Sequence, residues 1–218
     1  MATRRAPRSS STPPTTVLLV RHGKTATTGV SLPGRTRGLH LDDTGRAQAE
    51  RAAALIAELP AVAAVYTSPL ERARETGAPI ARAAGVRPVV DKGLHECDFG
   101  EWTGRPLKEL SKLPEWRTVQ QAPSTFRFPG GESFTEMQVR IVSTLDRLRA
   151  AHHGATIVCV SHADPIKSAV AHAVGTHLDL FQRIVIGTCS VSAIAWTPGG
   201  PVALSVNTTG SLTELMLS

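Results

Sequence analysis

Val17 to Val20 and Thr156 to Val160 are short runs with almost no polar interruption. Each predicts a strand buried on both faces, as in a parallel sheet. Shorter strand signals cover Val62 to Thr67 and Val86 to Val90. Helical patterns lie between them. An alanine-rich stretch of good helix formers follows Thr44 and runs to Leu59. Glu71 to Ala84 reads as a helix stopped by Gly85. Phe134, Met137, Ile141, Leu145 and Leu148 recur at three- and four-residue steps, which predicts an amphipathic helix over 133–151. Ile166 to Val174 predicts another helix. Ser190 to Trp196 and Val202 to Val206 read as late strands, a hairpin across Pro198-Gly199-Gly200. Residues 91–105 and Pro123 to Gly131 read as loops. Strands alternating with helices predict an α/β three-layer sandwich, a mostly parallel central sheet with helices on both faces. Such sheets bind ligands beyond the carboxyl ends of their strands. The first apolar strand ends at Arg21-His22-Gly23 and a later one at Ser161-His162.

Composition narrows the function. The 218 residues suit one domain, and 41% hydrophobic content excludes a disordered or fibrous chain. No apolar run reaches 18 residues, so no membrane span and no membrane partner are expected. Cys97, Cys159 and Cys189 form no CxxC pair, which fits a reducing, cytoplasmic setting. Lys and Arg outnumber Asp and Glu by 24 to 18, a net charge of +6. Three of those cations, Arg4, Arg5 and Arg8, fall in the Ser-, Thr- and Pro-rich residues 1–16, expected to be a disordered basic tail ahead of a single domain over 17–218. With 4% aromatics and no zinc-finger spacing or basic helix, nucleic acid is not the expected partner. A small phosphorylated molecule fits the remaining charge.

A histidine after a strand reads, alone, as a structural or surface residue. The neighbours of His22 change this. Arg21 offers a planar fork of donors matched to phosphate oxygens, and Gly23 permits close backbone approach. A neutral imidazole can attack phosphorus through one nitrogen when the other nitrogen's proton is held. His162 reads either as a core or capping histidine or as a second wall of the same anion site. Two histidines without a third ligand at a matching spacing, beside arginines, argue against a metal. Arg72 lies at the start of a predicted helix, where free amides favour anions. Its alternative is a solvated charge paired with Glu71 or Glu75. The loop around Glu96 holds several acids, and residue chemistry alone does not select one.

Taken together, VLLVRHGKT, LDDTGRAQA, SPLERARET, LHECDFGEWTG, FPGGES and VSHADPIKS resemble, in order, the segments of the histidine phosphatase superfamily, also called the phosphoglycerate-mutase-like family. They span about residues 17 to 170. The resemblance implies that His22 is a phosphorylated nucleophile, that Arg21, Arg72 and His162 form the phosphate pocket, and that Glu96 is the general acid. It also implies that Glu132 and Ser133 shape the pocket rim and that Ala163 offers its backbone N–H. No cofactor is implied.

Four positions depart from the family pattern. Lys24 replaces a glutamate and adds charge near the expected pocket mouth, suited to a second anionic group. Thr28 stands in place of an asparagine, with a hydroxyl able to donate. Ala163 replaces a glycine, and Lys167 an arginine. Arg35, Arg37 and the segment 105–128 are candidates for choosing the rest of the substrate. The expected activity is cofactor-independent hydrolysis of a small phosphomonoester. A phosphomutase is the second reading; little chain between Gly104 and Gly130 is available to cover a mutase site. A non-catalytic phospholigand-binding module is the third. A homodimer is compatible with all three.

Overall fold

The computed structural model describes residues 13–212. Six strands and six α-helices form three layers. In chain order these are β1 (Thr15–Arg21), α1 (Asp43–Ala57), β2 (Ala64–Thr67), α2 (Glu71–Ala83), β3 (Pro88–Val90), α3 (Leu107–Leu110), α4 (Pro114–Gln121), α5 (Phe134–Ala151), β4 (Thr156–Ser161), α6 (Ala163–Ala173), β5 (Val191–Thr197) and β6 (Gly200–Thr208). The sheet order is β3-β2-β4-β1-β5-β6. The pairs among β3, β2, β4 and β1 are parallel, and β5 and β6 add an antiparallel edge. The expected mostly parallel three-layer α/β sandwich is thus the observed fold.

The unbroken apolar runs have a direct cause. Along β1, Leu18 and Val20 enter a core with Ala49, Ala53, Ile56 and Ile80 of α1 and α2. Val17 and Leu19 point the other way, into a core with Ile141 and Leu145 of α5 and Ile166 of α6. Both faces of the strand are buried, so no polar alternation is needed. A third cluster, rich in aromatic rings, joins Phe99, Trp102, Phe126, Phe128, Phe134 and Phe181 beneath the 91–131 region.

Several boundaries shift from the sequence reading. β1 begins at Thr15, inside the stretch whose composition suggested a tail; residues 1–12 lie outside the described residues. α1 is capped by Asp42, whose carboxylate accepts from the Gly45 N–H at 2.7 Å, rather than by Thr44. α6 starts at Ala163, three residues before the predicted start, because Pro165 is tolerated in a first helical turn. The 105–128 segment holds the short helices α3 and α4.

Two glycines bring the loop after β1 against α1. A Cβ on Gly45 would lie 2.1 Å from the Lys24 carbonyl oxygen, and one on Gly23 would lie 2.6 Å from the Gly45 carbonyl oxygen. Backbone cannot yield as a flexible side chain does. Gly45→Ala is therefore expected to destabilise the fold by about 1–3 kcal/mol. A urea titration checks this as a lower midpoint at unchanged slope.

Candidate active site

The tips of β1 and β4 lie side by side, with Arg21 in register with Ser161. The next residue of each strand is a histidine, and the two rings face each other with centroids 5.1 Å apart. The His22 N–H donates to the Ser161 carbonyl at 3.0 Å, locking the two tips together. The Thr76 hydroxyl of α2 accepts from the Gly23 N–H at 3.0 Å and donates to the Arg72 carbonyl at 2.7 Å. One side chain thus ties the histidine loop to the turn that carries Arg72.

The His22 imidazole is buried. Its Nδ1 lies 2.7 Å from the Gly23 carbonyl oxygen. A carbonyl only accepts, so Nδ1 carries the proton and Nε2 keeps its lone pair. Burial, then the charges of Arg72 and Arg21, hold the His22 pKa down to about 3. The ring is neutral across the physiological range. His162 is held well below its usual value for the same reasons, burial first and Arg72 next. Its Nε2 lies 2.8 Å from the Ser68 hydroxyl.

Arg72 is fully buried, and its Nη2 donates to the Gly34 carbonyl at 2.7 Å. Arg21 donates from Nη1 to the Ile186 carbonyl at 2.7 Å. These carbonyls fix the direction of each guanidinium and leave donors over. Arg21 Nε, Arg72 Nε and His162 Nδ1 are all buried with no partner among the described residues. Orphaned buried polar groups are costly, and the two guanidinium Nε donors call for an acceptor.

Glu96 approaches the same centre from the loop after β3. It is buried, and its Oε1 accepts from the Cys97 N–H at 2.9 Å. Burial, with the nearby Asp164 carboxylate, pushes its pKa up to about 7, against the opposing Cys97 hydrogen bond and the charges of Arg72 and Arg21. The backbone around Glu96 is clamped. Arg35 Nε and Arg140 Nη2 donate to the Glu96 carbonyl at 2.9 and 3.3 Å, and Arg140 also binds the carbonyls of Gly93 and His95. The Ser161 hydroxyl donates to the Leu94 carbonyl at 2.8 Å.

Arg21, His22, Glu96, Thr28 and Ala163 line a cleft of about 400 Å³. Arg72 and His162 are fully buried behind this lining: the Arg72 charge acts on His22, and the His162 ring packs against the His22 ring. Ala163 opens α6, so its N–H has no partner within the helix. The Thr28 hydroxyl is already engaged, accepting from the Thr25 N–H at 2.9 Å.

Other expected positions fall elsewhere. Lys24 is exposed and outside the cleft lining, because its backbone is held to α1 through Asp42 and Gln48. Glu132 and Ser133 do not form the rim. Glu132 pairs with Arg140 at 2.7 Å and Arg35 at 2.9 Å, and Ser133 caps α5. Arg35 is therefore occupied by the acids beside Glu96, Arg37 is outside the lining, and only Leu107 of 105–128 reaches the cleft. The sequence reading missed Arg140, Ser68 and Asp164. Arg140 sits on an amphipathic helix, where a charge reads as solvated surface.

The neutral buried imidazoles make stability depend on pH. Their folded pKa values lie below the ordinary 6.5, so the unfolded chain takes up protons that the folded chain refuses. The contribution of the two rings is thus full above pH 6.5 and falls below it, at most roughly 2.7 kcal/mol per pH unit, while Glu96, raised to about 7, opposes this by at most roughly 1.4 kcal/mol per unit between about 7 and 4.5 and leaves a net loss. Urea unfolding at pH 7 and pH 5 is expected to show this loss, and inorganic phosphate to reduce it. Equal stability at both values would contradict the assignment of neutral rings.

The sequence profile of the histidine phosphatase superfamily (branch 1) matches residues 17–209. The chain belongs to the histidine phosphatase superfamily. A bifunctional protein of Mycobacterium tuberculosis is 34% identical over 201 residues, which is 91% of this chain and 55% of that protein. The chain spans about half the length of the mycobacterial relatives it matches there. Phosphoserine phosphatase 1 of Hydrogenobacter thermophilus is 30% identical over 202 residues, covering 91% of this chain and 94% of that one. A solved phosphoserine phosphatase mutant of Entamoeba histolytica, in complex with phosphoserine, superposes with a TM-score of 0.81 at 26% identity, over 91% of this chain and 99% of that one. Among the described residues, no helix is long and apolar enough to cross a membrane.

Proposed function

We propose that this chain hydrolyses a small phosphomonoester through a phosphohistidine at His22. The observation that carries the reading is a neutral His22 imidazole with Nε2 free, packed against His162 and under the charges of Arg72 and Arg21, while Arg21 Nε, Arg72 Nε and His162 Nδ1 are buried without a hydrogen-bond partner among the described residues. Two guanidiniums and the donors of His162 and Ala163 meet the oxygens of a phosphate dianion. His22 Nε2 attacks phosphorus as the ester P–O bond breaks, with charge held on the equatorial oxygens. An alkoxide leaves poorly, so Glu96 gives it a proton. Water then enters, Glu96 takes back a proton, and water displaces His22 from phosphorus. Inorganic phosphate and neutral His22 result.

Release of free phosphate from a panel of phosphorylated metabolites, with and without a bisphosphorylated primer, tests the proposal. Release without primer supports it. Transfer between hydroxyls that requires the primer would assign a mutase instead. Binding of phosphate esters without turnover would assign a binding module.

A further inference from the structure

Beside the groups assigned to the phosphate, the cleft carries further charges. Asp164 and Lys167 both line it, at the first turn of α6. Their charged groups pair at 3.2 Å, and the Lys167 ammonium also donates to the Gln182 side-chain oxygen at 3.0 Å. Both side chains are mostly buried, 16% exposed for Asp164 and 17% for Lys167. The ammonium is therefore already spent on two acceptors. Arg21 faces the phosphate, and the remaining distal wall is hydroxyl and apolar, with Thr27, Ser31, Leu32 and Ile184. Once phosphate is bound, the lining offers no unpaired cation to a second anion. It offers instead a carboxylate, since Asp164 Oδ2 has no hydrogen-bond partner among the described residues.

We propose that Asp164 is a specificity-determining residue, selecting a substrate whose leaving alcohol is neutral or carries an ammonium, and rejecting one that carries a second phosphate or a carboxylate alone. The substrate class is thus the phosphate ester of a polyol or amino alcohol. This rests on the phosphatase reading. It reverses the expectation attached to Lys24, which lies outside the cleft. The charge of the same carboxylate acts on Glu96 and Arg21. It has a second consequence: it helps keep Glu96 protonated.

The test compares kcat/KM for glycerol 3-phosphate and phosphoethanolamine with that for 3-phosphoglycerate and fructose 1,6-bisphosphate. The unmodified chain is expected to favour the first pair by about threefold, because Lys167 at 3.2 Å offsets part of the Asp164 charge. In Asp164→Asn the ratio of anionic to neutral substrate is expected to rise about tenfold, and the alkaline limb of activity to move to lower pH. Lys167→Met, which leaves Asp164 unneutralised, is expected to lower that ratio. A merely structural role would lower all four substrates together and leave the ratio and the limb in place. Equal use of both pairs by the unmodified chain, or a ratio unmoved in both variants, would overturn the inference while phosphate release upholds the phosphatase. No phosphate release from any substrate would overturn the phosphatase reading itself, and this inference with it.

Discussion

His22→Ala is expected to abolish phosphate release, a loss on the order of 10⁴–10⁶-fold, as for removal of other covalent nucleophiles. Nothing nearby replaces it. The His162 imidazole packs against it, but its Nε2 is engaged by Ser68. The loss is chemical rather than structural. Arg21 and Arg72 are held by the Ile186 and Gly34 carbonyls, not by His22. The variant is therefore expected to keep its fold and still bind inorganic phosphate. Isothermal titration with phosphate alongside a turnover assay checks both halves. Retained turnover would remove the nucleophile from the mechanism, and lost phosphate binding would mean that the pocket had collapsed.

Glu96→Gln is expected to lower kcat on alkyl phosphates by about 10²–10⁴-fold, the usual worth of a general acid. An aryl phosphate separates its two roles. A phenolate leaves without a proton, so His22 is still phosphorylated, but no base then assists water. The variant is expected to release a burst of phenolate stoichiometric with enzyme and then turn over slowly. The pH dependence has a definite sign. Glu96 is raised to about 7, so the acid form is present below that value and lost above it. The kcat/KM of the unmodified chain on an alkyl ester is expected to fall tenfold per pH unit above about 7. The bound dianion raises the carboxyl further, so the limb in kcat lies at higher pH. Glutamine does not titrate, and in Glu96→Gln the limb disappears. A limb unchanged in the variant would belong to another group.

Much of the fold was legible because burial on both faces leaves a continuous apolar signature. β1 and β4 each feed one core through odd residues and another through even ones, so every position had to be apolar. α5 was legible for the opposite reason, having one buried face. The start of α6 was not, because His162-Ala163-Asp164-Pro165 reads as a turn until the first-turn tolerance of proline is weighed. That misplacement hid Asp164. The histidines and arginines of the site were legible as strand ends and a helix start. Glu96 was not separable from Asp98 and Glu101, in the same loop, by residue chemistry. The structure separates them by neutralisation. Asp98 and Glu132 meet Arg35, Glu132 meets Arg140, and Glu101 is exposed. Glu96 alone of the four is buried without a salt bridge, and long-range packing decides that.

A phosphoryl group carried on His22 during turnover is what the mechanism requires. Rapid quenching with a labelled phosphomonoester into alkali, followed by peptide mass mapping, reads it directly. Expected is an acid-labile, base-stable phosphate on His22, absent in His22→Ala and, with an aryl phosphate, accumulating in Glu96→Gln. Turnover with no phosphoprotein at any quench time, or label mapped to His162 or to a carboxylate, would contradict it.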